Sequence, residues 1–121
     1  MDNLHEYKDE VWELTDESRA LMPELNAAYY GAVKDAVFND DKPGLKTKRL
    51  VALGIAVQSG CGPCIISQVD HALNNGASVE DIIGACSVAI SMGGTLAWSN
   101  MLPAVKYLRE KGLLPEEDKE T

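Results

Sequence analysis

Ser59-Gly60-Cys61-Gly62-Pro63-Cys64-Ile65-Ile66-Ser67-Gln68-Val69-Asp70-His71 sets a C-x-x-C pair at the start of a helix. From Cys64 onward the apolar residues Ile65, Val69, Ala72 and Leu73 recur at i, i+4, i+7 and i+8, the period of an amphipathic helix. Gly62 and Pro63 punctuate its start, since proline is tolerated in a first turn, where its missing N–H would have had no partner. Both thiols therefore fall in that turn. Backbone N–H groups there carry a partial positive charge that favours thiolate over thiol, and the thiolate is the reactive species.

The flanks of the motif decide the fold. Cys-Gly-Pro-Cys is also the active-site tetrapeptide of thioredoxins, whose fold feeds the motif from a strand and follows it with more strands. Here the preceding string Leu50-Val51-Ala52-Leu53-Gly54-Ile55-Ala56-Val57 reads as a helix from Thr47 to about Gln58. Its alanine content and length favour helix over a buried strand, and its apolar character nearly all round predicts burial on most sides. After the motif, Asn74-Asn75-Gly76 suits a left-handed C-cap. Ser78 then caps a helix on Val79, Ile82, Ile83, Cys86, Ala89 and Ile90, with Glu80 and Asp81 in its first turn. Gly93-Gly94 predicts a break, with Thr95 capping a last helix. That helix carries Trp98, Met101, Leu102, Val105 and Leu108 on one face, with Pro103 as a kink or restart and Gly112 as the stop.

Upstream, Leu4, Tyr7, Val11 and Leu14 space a short first helix, and Thr15-Asp16 offers a cap for a second from about Glu17 to Phe38. Pro23 moves that start toward Met22. Asn39 to Gly44 is a loop. No segment shows period-two alternation and no internal repeat is present. The chain is expected to be one all-α domain of about five to six helices, ending in an acidic tail from Leu113 to Thr121.

A net charge of −8 over 121 residues argues against nucleic acid as a partner, because phosphates would be repelled. Lys42, Lys46, Lys48 and Arg49 cluster, but they precede an apolar helix without aromatic interleaving. Met1 to Glu10 is polar, so no signal peptide is expected, and no stretch reads as the roughly 20 apolar residues that would span a bilayer. The expectation is a cytoplasmic protein without a membrane partner. Thiols stay mostly reduced there, which favours a redox-cycling pair over a structural disulfide. Zinc would need four ligands, and beyond Cys61 and Cys64 only Cys86, His5 and His71 remain. Cys86 sits among apolar neighbours and reads as core, so neither a metal nor a cofactor is called for. Trp12, Trp98, Tyr29, Tyr30 and Tyr107 read as core or interface anchors.

Lys46-Thr47-Lys48-Arg49-Leu50-Val51-Ala52-Leu53, Cys61-Gly62-Pro63-Cys64, His71-Ala72-Leu73, Gly76-Ala77-Ser78-Val79-Glu80-Asp81-Ile82 and Met92-Gly93-Gly94 together resemble the carboxymuconolactone decarboxylase family, in its alkylhydroperoxidase D (AhpD)-like branch, over about residues 43 to 110. The resemblance implies an all-helical protomer that assembles into trimers or hexamers. It also implies a thiol-dependent peroxidase or disulfide reductase, whose substrate is a peroxide or disulfide and whose electrons come from a thiol protein or small thiol. In that branch the second cysteine, here Cys64, attacks the peroxide, and the first, here Cys61, resolves the sulfenic acid; in thioredoxin-type pairs the first cysteine attacks, so Cys61 stays open as the nucleophile.

That branch also uses a proton relay, with a Glu twelve residues before the first cysteine and a His four after the second. This chain has Arg49 and Gln68 there. An amide is not a general base and a guanidinium stays protonated, so the relay cannot operate unchanged. Arg49 could instead hold the thiolate by opposite charge. Alternatively the relay is lengthened, since Cys64, Gln68, His71 and Asn75 form one polar stripe along the helix. His71 lies about 10 Å along the axis from Cys64, so Gln68 or a water would have to bridge them. The same stripe would mark the solvated or subunit-facing side of any amphipathic helix. Two other functions stay open: the lactone decarboxylation for which the family is named, which does not depend on a cysteine pair, and an oligomeric binding protein that has lost turnover.

Overall fold

The computed structural model describes residues 2–115, and those residues form helices and turns without a strand. Helix α1 spans Leu4–Leu21. It runs straight through Thr15-Asp16, where a cap was expected, because the Thr15 hydroxyl donates to the Val11 carbonyl at 2.7 Å and is satisfied inside the helix. The break falls at Met22 (φ −132°, ψ 64°), and Pro23 opens α2, Pro23–Asn26, at a position where proline costs no hydrogen bond. The chain continues as a π-helix over Ala27–Val33 and then as α3, Lys34–Val37. The expected second helix therefore exists, with a later start and a widened middle.

Helix α4 spans Leu45–Ser59, α5 spans Gly62–Asn74, and α6 spans Val79–Glu110. Ser78 and Asp81 cap α6 reciprocally, each side chain accepting the other's backbone N–H at 3.0 Å. The break expected at Gly93-Gly94 falls at Gly94 (φ 66°, ψ −146°), where the backbone leaves helical geometry in a conformation that a side chain would strain, so α6 is two helical segments joined across a kink. Pro103 keeps helical geometry, so the bend belongs to Gly94. Taken across that kink, α6 is long and apolar enough to cross a membrane by length and composition alone, against the expectation that no stretch is.

Helices α4, α5 and α6 pack together, and α1 lies against α6 and α5. Leu53 and Val57 from α4, Ile65, Ile66 and Val69 from α5, and Ile82, Cys86 and Leu108 from α6 are fully buried. Each such aliphatic side chain is worth about 1.5–3 kcal/mol relative to exposure. Helix α4 is not buried on most sides, however. Val51 and Ile55 are 54% and 63% exposed and face α6 across an open apolar groove of about 640 Å³. The buried stripe of the second half of α6 is Ala97, Met101, Ala104 and Leu108, while Trp98 and Leu102 point outward. The backbone turn at Gly94 resets which face meets the core.

A polar knot fastens α5 to its neighbours. Tyr107, fully buried on α6, donates its hydroxyl to the Asp70 carboxylate of α5 at 2.8–2.9 Å and accepts from Lys8 Nζ of α1 at 3.1 Å. Lys111 closes the set at 3.2 Å from Asp70. At the same C-terminal end of α6, the Glu110 carboxylate accepts from the Leu4 backbone N–H and pairs with His5 Nδ1 at 2.7 Å. Residues 116–121 of the expected tail lie outside the described residues.

Candidate functional site

Helix α4 ends in a left-handed Gly60 (φ 75°), whose N–H and that of Cys61 both reach the Ala56 carbonyl, at 2.9 and 3.1 Å. Asn100 of α6 reinforces the turn by donating to the Val57 carbonyl at 2.9 Å, with its side chain packed against Gly60. This turn aims Cys61 into the N-cap position of α5, where its Sγ accepts the Cys64 N–H at 3.3 Å. Cys61 and Cys64 are joined in a disulfide. Both sulfurs thus sit in the first turn, as the motif predicts, but in unequal settings: Cys64 is exposed and Cys61 half-buried.

Cys64, Gln68 and His71 open onto one cavity of about 390 Å³. The polar stripe is therefore a cavity wall, and Asn75 leaves it by folding back to donate to the His71 carbonyl at 2.8 Å. Gln68 Oε1 accepts from Arg49 Nη1 at 3.4 Å, a long bond, and among the described residues no direct hydrogen bond joins Gln68 to Cys64 or His71. The guanidinium carbon of Arg49 lies over the Phe38 ring, 3.8 Å from its centroid. Its Nε is buried without a partner, and desolvation lowers its pKa. The contacts of Arg49 are thus with Gln68 and Phe38.

Burial pushes the His71 imidazole below the ordinary histidine value, and the nearby Arg49 and Lys34 charges push it further, against a smaller opposing effect from Asp70. These effects favour the neutral imidazole, the form that can accept a proton. Cys86 stands apart: fully buried, its thiol is pushed up to about 11 by desolvation. Among the described residues no group of three or more His, Cys, Asp or Glu side chains could hold a metal ion.

Sequence reasoning missed the facing wall. Trp12, Thr15, Asp16 and Arg19 of α1, Tyr29 and Tyr30 of the π-helix, and Lys34 of α3 complete the cavity. Trp12, Tyr29 and Tyr30 were expected as core or interface anchors, and on this protomer they are 39%, 46% and 42% exposed. One sequence signal pointed to them: adjacent tyrosines before Gly31 cannot both enter the core from a regular helix.

An all-helical protomer with a disulfide-forming C-x-x-C pair on its central helix is thus defined. The family model described as "Carboxymuconolactone decarboxylase family" matches residues 23–107, well over half the chain, and the chain belongs to that family. An uncharacterized protein of Cupriavidus necator is 32% identical over 73 residues, which are 60% of this chain and 64% of that protein, so the match spans just under two thirds of this relative. The fold is similar to that of a carboxymuconolactone decarboxylase family protein from Legionella pneumophila in its apo form (TM-score 0.82, 24% identity, 91% of this chain and 97% of that one). It is also similar to a family member from Thermotoga maritima described as "possibly involved in antioxidative response" (TM-score 0.65, 30% identity, 73% and 91% coverage).

Proposed function

We propose that the protein is a thiol-dependent redox enzyme that reduces an organic hydroperoxide at Cys64 and stores the oxidation as the Cys61–Cys64 disulfide. The observation that carries this reading is that Cys64 is exposed on a cavity it shares with His71. The Cys64 thiolate attacks the terminal peroxide oxygen, the O–O bond breaks, and the alkoxide leaves with a proton as the alcohol. Cys64 is then a sulfenic acid. Cys61 attacks its sulfur, the S–S bond forms, and the hydroxyl leaves with a proton as water. One hydroperoxide and two thiols give one alcohol, one water and one disulfide. An external dithiol resets the pair by exchange and becomes a disulfide itself.

The flanking groups fit these roles without the relay of the AhpD-like branch. The Cys64 N–H that meets Cys61 Sγ stabilises a Cys61 thiolate as resolving nucleophile. Arg49 draws the Gln68 carbonyl oxygen toward itself, which leaves the Gln68 amide N–H groups to steady charge on Cys64 rather than to act as a base. His71 accepts the thiol proton through a water. The antioxidative description of the Thermotoga maritima protein points the same way. A reducing compartment such as the cytoplasm would keep the pair in its dithiol form. The apolar groove at Val51, Ile55, Val88 and Met92 is an assembly surface in this reading, covered in a trimer or hexamer.

The test mixes reduced protein with cumene hydroperoxide at neutral pH and follows both peroxide loss and intact mass. Saturable loss with a decrease of two hydrogens per chain, abolished in Cys64→Ser, is the expected result. Peroxide that persists while the pair exchanges readily with an oxidised dithiol would make the protein a disulfide reductase instead. Neither reaction exceeding that of a free thiol would leave the fold as a binding scaffold.

A further inference from the structure

We infer that the cavity beside Cys64 is a binding site for a small monoanionic organic molecule, a carboxylate on an apolar or aromatic body. Resting on the redox reading above, this makes the preferred hydroperoxide one that carries such a carboxylate.

Charge comes first. On a chain with net charge −8, this cavity is walled by two cations, Arg19 and Lys34, against one carboxylate, Asp16. Among the described residues neither cation lies within 4.0 Å of a carboxylate oxygen, whereas Lys8 and Lys111 on the other side of α5 both pair with Asp70. The cavity therefore holds one positive charge in excess, which suits one carboxylate.

Both cations are also held in place. Arg19 Nε donates to Asn26 Oδ1 at 2.6 Å and its guanidinium stacks on Tyr30, 4.2 Å from the ring centroid, so its terminal nitrogens stay open to a planar acceptor. Lys34 Nζ lies over Tyr29 at 4.8 Å. Ordering them before a ligand arrives removes part of the entropic cost of binding it.

The rings supply the apolar half. Tyr29 and Tyr30 meet edge to face with centroids 5.1 Å apart, and with Trp12 they present large, partly exposed rings to the cavity. The two adjacent tyrosines on this wall belong to Ala27–Val33, which is π-helical, a rare geometry that recurs at functional sites. The ligand would lay its body on these rings and its carboxylate between Arg19 and Lys34, with its reacting end toward Cys64.

Because the disulfide form cannot turn over, it separates binding from chemistry. Titrated calorimetrically into the oxidised protein, 4-phenylbutyrate is expected to bind at least tenfold more tightly than 4-phenylbutan-1-ol, with 4-phenylbutylamine weakest. In the Arg19→Gln/Lys34→Gln double variant the preference for acid over alcohol should fall below threefold. Should that variant fail to fold, Lys34→Gln alone must still reduce the preference. Equal binding of acid and alcohol, or a preference that survives the substitutions, overturns the inference. Preferential binding of the acid by a protein that consumes no carboxylated hydroperoxide supports the site and refutes the peroxidase reading.

Discussion

Replacing Tyr107 with Phe should destabilise the protein by about 2 kcal/mol, a figure that follows from the knot around Asp70. The phenylalanine ring fills the same fully buried space, so no cavity forms and the loss is that of the hydroxyl alone. That hydroxyl donates to a carboxylate at 2.8–2.9 Å and accepts from an ammonium at 3.1 Å. Hydrogen bonds to charged groups are worth about 1.5–3 kcal/mol. The loss sits toward the low end because Asp70 keeps Lys8 at 3.4 Å and Lys111 at 3.2 Å and is not stranded. Urea denaturation with an unchanged slope would measure it.

The pH dependence gives a second check on the same variant. The Lys8 pKa is raised, chiefly by its hydrogen bond to Tyr107. That of Lys111 is lowered by burial but raised overall by Asp70 and Tyr107. A raised folded-state pKa contributes stability that is complete below the unfolded lysine value of about 10.4 and is lost as pH climbs through the folded value. The gap between wild type and Tyr107→Phe should therefore hold steady near neutrality and narrow above about pH 10. A difference under about 0.5 kcal/mol at pH 7 would refute the claim that the buried hydroxyl fastens α1, α5 and α6.

Three further outcomes follow from the site and its surroundings. His71 should titrate below about 6.5 by NMR and move upward in Arg49→Met, which removes a charge that lowers it. The neutral form is the one favoured in the fold, so the contribution of His71 to stability falls as pH drops from about 6.5 through the folded value, and an unmoved resonance would contradict this electrostatic account. In the reduced, folded protein, iodoacetamide at pH 8 should label Cys61 and Cys64 and spare Cys86, which is buried and pushed up to about 11, whereas equal labelling of all three would contradict that burial. Ile55→Glu should prevent the proposed trimer or hexamer by placing a charge in the apolar groove, as read by light scattering, and a wild-type protein already monomeric at micromolar concentration would remove the groove's proposed role.

The helical class and the chemistry-bearing turn were legible because both are local. Glycine, proline and cysteine fix the Gly60 turn and the N-cap within four residues, and Ser78 with Asp81 announces α6 in the same way. Misread features depended on context instead. Thr15 and Asp16 have the composition of a cap, but Thr15 found a carbonyl one turn back inside a continuing helix. The Leu50 to Val57 string looked buried all round because hydrophobicity does not reveal which face a monomer leaves open. The cavity was half legible: Cys64, Gln68 and His71 share a helix stripe, while Trp12 and Arg19 reach it through the packing of α1 against α5, and Tyr29, Tyr30 and Lys34 through the Met22 break and the π-helix.

Trapping the first oxidised species tests the central claim most directly. Cys61→Ser, which retains Cys64 without its resolving partner, would be treated with one equivalent of cumene hydroperoxide in the presence of dimedone and mapped by peptide mass. A dimedone adduct is expected on Cys64, formed within the time wild type takes to close its disulfide, and no such adduct on the Cys61 of Cys64→Ser. An adduct on Cys61 alone, or on neither cysteine, would contradict it.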